Sequence, residues 1–491
     1  MSFLKQLAGE TAIYGLSSIL SRVVSFVLLT PYLTNVFDNT GDYGTITLLF
    51  GYAAILLVLY TIRMETTYFR FGSKAADQEA SFSTAAIILL VITLFFSTLL
   101  VAVADPLATQ LHFEGHPEYI YLVVAIIAAD ALVAVPFARL RLENRPWKFA
   151  IAKTLGMAVN VVVIFFLLEG LPLLMAQGFA WAEMLFAEER RVAFVFVANL
   201  CGSAVVLLYL LPYYKKVDWR WRPELANRML RYAAPLIIVG LAGVLNQTIA
   251  FPLLEYLLPY AEERNRDLLG IYGAVAKLAI LMNLFTQAFN YAAEPFFFRN
   301  AANKNVPEMY AKVAQAFALV AAFAVLGILL YLDQLQFLLG KNYREGLGVV
   351  PILLVANFML GMYYNFAIWY KLKDRTSVGS YLSLGGVLIT LAINFALVPQ
   401  IDYYGAAIAT LCCYTFMALG GYLTGRRAFP VPYRIGAIFG YLLFALLLYG
   451  LSEWLGLPNR SFLKFGVNTL LLLFFVAGVW RSGRGLLRSV V

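Results

Sequence analysis

The chain has 491 residues, 62% of them hydrophobic and only 13% charged, with a mean hydropathy of +0.77. Soluble domains run near half apolar and a quarter charged, so this composition excludes a large globular protein and indicates an integral membrane one. The net charge of +9 comes from basic residues spread over short connections, which argues against a polyanion footprint and against nucleic acid as a partner.

Taken in chain order, the apolar residues come in blocks of about 20, the length that crosses a bilayer core as a helix. The first six lie near 10–36, 43–65, 82–104, 118–140, 149–170 and 192–212. Six more lie near 231–258, 268–297, 309–332, 347–370, 378–398 and 404–424, and a last pair near 433–451 and 462–480. Charge, Pro or Gly punctuates every gap, so the sequence predicts an all-α membrane protein of fourteen spans. The first block carries Arg22 near its middle and lacks a small-residue cleavage pattern, so it reads as a span and not a removable signal.

Several connections stand out. His112 and His116 share the polar segment HFEGH, where a solvated loop is favoured over a metal site. Residues 171–191 are long and mildly amphipathic, an interfacial helix in the plain reading and a substrate gate in the other. The stretch KKVDWRWRPELANRMLR, 215–231, sets tryptophans between cations and reads as an amphipathic linker lying on anionic lipid. Cys201, Cys412 and Cys413 fall inside apolar blocks, giving neither a disulfide framework nor metal-ligand spacing.

Loops on the side of the termini carry 26 Lys and Arg, and those on the opposite side carry 8. By the positive-inside rule both termini are cytoplasmic, which places a multi-pass protein in the cell (inner) membrane.

The sequence also repeats itself. GDYG at 41–44 recurs as GIYG at 270–273, and ETTYFR at 65–70 as EPFFFR at 294–299, both at an offset of 229. LENR at 142–145 recurs as LKDR at 372–375 at an offset of 230. A shared offset argues for a duplicated six-span unit. Six spans preserve orientation, so the copies are expected to be related by a pseudo-twofold axis along the membrane normal. The expected partition is 1–214 for the first six-helix lobe, 215–425 for the second and 426–491 for a terminal helix pair.

At this point a family resemblance emerges. LLGIYGAVAKLAILM at 268–282 and YYGAAIATLCCYTF at 403–416, within two six-helix lobes plus a terminal pair, resemble the polysaccharide-exporter (Wzx-like) branch of the multidrug/oligosaccharidyl-lipid/polysaccharide (MOP) flippase superfamily. The resemblance covers essentially the whole chain. It implies two lobes around a central cavity that opens alternately to each side. The implied cargo is a polyprenyl-pyrophosphate-linked oligosaccharide, moved from the cytoplasmic to the external leaflet for surface polysaccharide such as O-antigen, capsule or exopolysaccharide. Membrane lipids and the polymerase and glycosyltransferases of such a pathway are the candidate partners. The terminal pair is similar to one that lines a lipid-tail groove in peptidoglycan-precursor flippases.

Charges inside spans are costly and normally face a cavity or a partner. At about 1.5 Å per residue, Arg22 and Asp130 lie roughly 18 Å from the nearest polar loop and Lys277 about 13 Å. Lys153 lies one turn from the cytoplasmic face, where its stem can snorkel. A pyrophosphate cannot enter hydrocarbon bare, and fixed guanidinium and ammonium groups in a wet cavity would replace its counterions. Arg22 and Lys277, with Arg63 at the inner mouth, are therefore the candidate cargo-binding residues, and the resemblance implies the same role for cations in the first and eighth spans. Two readings stand for Asp130: a neutral structural pair with Arg22, or an H⁺ or Na⁺ coupling site. Glu65 and Glu294, expected to bond Arg70 and Arg299 or nearby backbone, are candidates for structure or gating. Asparagines within spans, among them Asn357, Asn365 and Asn394, read as interhelical hydrogen-bonders with sugar binding as the second option.

No P-loop, metal-spaced His or Cys pair, or GxSxG elbow appears, so neither an enzyme nor a cofactor or metal site is expected. Energy would come from an ion gradient, the membrane potential or consumption of cargo on the far side. Two alternatives remain: a cation-coupled multidrug exporter of the same superfamily, which calls for anionic or aromatic cavity walls, and a membrane glycosyltransferase or polymerase, which calls for a large extramembrane loop.

Overall fold

The computed structural model describes residues 20, 23–73, 77–113, 115–299, 306–373, 375–459 and 461–490, with backbone alone at 25, 291–299, 306, 371 and 481–490. Every regular element among them is helical. Hydrocarbon offers the backbone no hydrogen-bond partners, and a helix satisfies its own. Among the described residues thirteen helices are long and apolar enough to cross a membrane, and a shorter apolar helix, Phe26–Val36, lies at the end of the expected first block. The thirteen coincide with the sequence blocks from 43–65 onward.

Apolar side chains do not all point inward. Leu94, Phe95 and Leu99 on the helix Gln78–Ala102, and Leu388 and Phe395 on Thr376–Ile401, are exposed, as expected where lipid is the solvent. The span Glu262–Asn290 is by contrast 67% buried along its apolar window, and Phe462–Trp480 only 17%. The helix that carries Lys277 is thus one of the most enclosed.

The chain forms two compact units: Thr45–Pro252 with the described residues before Phe26, and Phe26–Gly44 with Leu253–Val491. In the first, the helix Pro223–Thr248 packs on Met64–Phe71 and on Gln78–Ala102. In the second, Thr30–Val36 packs against Glu262–Arg299.

The connection at 171–191 is not one interfacial helix. It folds as Leu171–Ala176, Ala180–Leu185 and a 3-10 turn, Glu188–Arg190, with Gly178 at φ 85° reversing the chain. Leu173, Trp181 and Met184 are left exposed.

Candidate functional site

Lys277 lies in the long helix Glu262–Arg299, whose first turn carries Glu262 and Glu263 where the helix dipole favours acids. It sits about 22 Å along the axis from Glu262, near the middle of the span. The side chain is half-buried, and its Nζ stands 5.8 Å from the centroid of the Tyr43 ring. Tyr43 is 1% exposed and is held edge-on by Tyr343, with centroids 5.5 Å apart. Among the described residues no carboxylate lies within ion-pair distance of Lys277. A π-face attracts a cation but does not neutralise it.

The two repeated turns meet in this unit. Thr40 Oγ1 donates to Asp267 Oδ1 at 2.6 Å. A Cβ on Gly270 would fall 1.9 Å from the Thr40 carbonyl oxygen, and one on Gly44 would fall 2.1 Å from that of Arg266. Only glycine lets these two helices approach backbone to backbone here. The Gly-aromatic-Gly repeat is therefore a helix-packing device. The buried tyrosine in the middle of its first copy forms the wall beside Lys277.

At the other end of the helix Thr40–Thr61 the backbone breaks. Ile62 and Arg63 have φ of 40° and 56°, a left-handed conformation that a β-branched residue rarely adopts. The break turns the Arg63 side chain onto Gly240, where a Cβ would come within 2.1 Å of Arg63 Nε. Arg63 Nη1 stands 3.6 Å from Glu65 Oε1, and Glu65 Oε2 is buried without a hydrogen-bond partner among the described residues. Glu65 thus pairs with Arg63 and not with Arg70, whose guanidinium stacks 4.3 Å above the Tyr232 ring. In the pair Arg63 keeps a partly exposed, partly neutralised charge.

Asp130 lines a cavity of about 220 Å³ with Lys153, Asn160, Asn199 and Ser203, drawn from the helices Glu118–Leu142, Pro146–Phe165 and Arg191–Tyr214. Ser203 hydrogen-bonds the Asp130 carboxylate, and Lys153 acts on it as the nearby positive charge. The Lys153 ammonium also stands 4.5 Å over the Phe137 ring. Lys153 is therefore turned into this cleft and does not simply snorkel: a carboxylate inside the bundle outweighs the reach to the water face. Gly156 and Gly202 sit at the crossing that brings these helices together.

Arg22 lies outside the described residues, as do the side chains of Glu294 and Arg299, so their expected roles rest on the sequence alone. The asparagine expectation changes. Asn357, Asn365 and Asn394 each donate to the carbonyl four residues back in their own helix, at 2.8, 3.0 and 2.7 Å. An amide that bonds its own helix does little to hold a neighbour. One residue escaped sequence reasoning: Arg139, counted there with a loop, is 3% exposed and bonds both Glu79 and Glu143. The signal was present in Glu143 four residues on, the spacing of a helical ion pair.

The class defined by this fold is that of all-α, multi-pass membrane proteins. No protein-family model matches the sequence, and no curated protein matches it. Solved structures do. The chain is similar to the lipid II flippase MurJ in an inward closed conformation, with a TM-score of 0.74 and 11% identity over 96% of this chain and 99% of that one. It is also similar to an inward-facing multidrug resistance MATE family transporter of the MOP superfamily, with a TM-score of 0.64 and 14% identity over 86% and 99%. A third is a MOP superfamily transporter from Pyrococcus furiosus described as having a binding pocket of reverse polarity, with a TM-score of 0.56 and 15% identity over 89% and 99%. At these identities what is shared is the fold.

Proposed function

We propose that this protein is a flippase for a polyprenyl-pyrophosphate-linked oligosaccharide, working by alternating access through a cationic cavity in the cell membrane with both termini cytoplasmic. Lys277, Arg22 and Arg63 hold the pyrophosphate, and the duplicated six-helix units with their terminal pair supply the moving parts. The observation that carries this reading is Lys277: a mid-span ammonium on an enclosed helix, set against an aromatic wall, with no acid to neutralise it among the described residues. A cation-exporting pocket would call for the opposite sign of charge. The higher TM-score and fuller coverage with the lipid II flippase than with the MATE transporter support a lipid-linked cargo over a free drug.

The test is complementation of a strain lacking its oligosaccharide flippase, with membrane insertion checked in parallel. Wild type is expected to restore surface polysaccharide, and Lys277→Ala and Arg22→Ala to insert yet fail. Full activity of both variants would remove the charge argument.

A further inference from the structure

The connection between the helices Arg191–Tyr214 and Pro223–Thr248, expected to be part of an amphipathic linker on anionic lipid, contains no helix at residues 215–222. They form a pinned strap. Val217 is buried with Met64, Phe82 and Met229. The Asp218 backbone N–H donates to Ser83 Oγ at 3.0 Å, and Arg222 donates to the Ala80 carbonyl at 3.5 Å and to Asp218 Oδ2 at 2.6 Å. The pinning turns the remaining side chains outward: Trp219 is 57% exposed and Trp221 52%, with Arg220 between them and Lys215 and Lys216 just before. Arg145 lies close enough to Tyr213 to act on it electrostatically, which brings a second turn alongside, with Trp147 at 69% exposure and Lys148 exposed beside it.

The acids of this face are largely committed. Glu79 and Glu143 bond Arg139, Glu143 also holds Arg145, and Asp218 holds Arg222. Asp77 and Glu224, at the starts of the adjoining helices, are the remaining acids. Lys148, Lys215, Lys216 and Arg220 have no acidic partner among the described residues. Three exposed indoles and four uncommitted cations thus lie within a few residues of helix ends that enter the membrane. Indoles favour headgroup level, and cations there are drawn to lipid phosphate.

We propose that the strap Lys215–Arg222 and the turn at 143–148 form a binding surface for anionic phospholipid headgroups, the phosphates resting among Lys148, Lys215, Lys216 and Arg220 with the indoles between headgroups. The surface is independent of the cargo and of the transport reading. It fixes the connecting segment to one leaflet, so occupancy depends on that leaflet's charge.

The experiment reconstitutes the full chain in nanodiscs and measures tryptophan quenching by brominated phosphatidylglycerol and, separately, brominated phosphatidylcholine, each at a low mole fraction. Wild type is expected to enrich the anionic lipid about tenfold over the zwitterionic one. The triple variant Lys215→Gln/Lys216→Gln/Arg220→Gln should lose that preference, and Trp219→Phe/Trp221→Phe should lose part of the anionic-lipid quenching. If the triple variant does not fold, 0.5 M salt on wild type serves instead. Screening at about 4 Å should abolish the preference while leaving phosphatidylcholine quenching unchanged. Equal quenching by both lipids, a preference that survives the substitutions or the salt, or tight binding of a short RNA without lipid preference would each overturn the proposal.

Discussion

Lys153 and Lys277, each inside an apolar span, sit in opposite circumstances. Lys153 shares a cleft with Asp130, which Ser203 also hydrogen-bonds. An acid within the same bundle faces its charge. Lys277 faces the ring of Tyr43, which attracts the cation but carries no charge to cancel it. A charge already matched by the fold holds helices together; one left unmatched calls for a partner from outside. On the proposed reading the first lysine, one turn from the cytoplasmic face, is structural, and the second, about 13 Å deep, is functional.

The sharpest way to break this comparison is to truncate each lysine in turn and measure transport. Lys277→Ala should lower the rate about 10–100-fold, the worth of a charge-assisted bond, with Lys277→Arg recovering part of it. Lys153→Met should change transport only a few-fold at equal protein level. Similar losses in both would mean that the two charges do the same work.

A smaller effect tests the claim of internal matching. Asp130→Asn and Lys153→Met should each lower unfolding stability by about 2 kcal/mol, because each leaves one charge in the cleft without its counterpart. The double variant should recover most of the loss. Additive losses in thermal unfolding would show that the two groups do not compensate each other.

The repeat contact gives a third prediction of about the same size. Gly270→Val must push the Thr40 carbonyl aside and should cost about 1–3 kcal/mol, whereas valine at Gly243, which meets open space, should cost far less. Equal melting temperatures for the two would contradict the packing role given to the repeated turns.

The smallest effect concerns the break at Ile62 and Arg63. Arg63→Gly removes both the charge and the left-handed strain, whereas Arg63→Ala removes only the charge. Glycine should therefore be about 1 kcal/mol the more stable, and both variants should lose transport to the same extent. Transport that tracked stability and not charge would move Arg63 from cargo binding to backbone support.

How far the sequence reached differs from element to element. The spans were legible because hydrocarbon imposes length and composition so strictly that 118–140 could be placed almost to the residue. The offset of 229 between GDYG and GIYG was legible too, but its meaning was not: that Gly270 rests on Thr40 is a long-range fact no local pattern encodes. The same limit hid the cleft. Asp130 and Lys153 are on different helices, and the linear sequence offered Arg22 as an equally good partner. Arg139 was misplaced for a simpler reason, since a rule that counts loop cations has no way to see one folded back onto Glu79.

The central claim is that Lys277 meets a pyrophosphate within the membrane. The direct measurement is the affinity of the purified, detergent-solubilised protein for a polyprenyl pyrophosphate and for the polyprenol of equal length. The account predicts about tenfold or more tighter binding of the pyrophosphate, with the advantage lost in Lys277→Ala. Equal affinity for the two lipids, or an advantage undiminished in the variant, would contradict it.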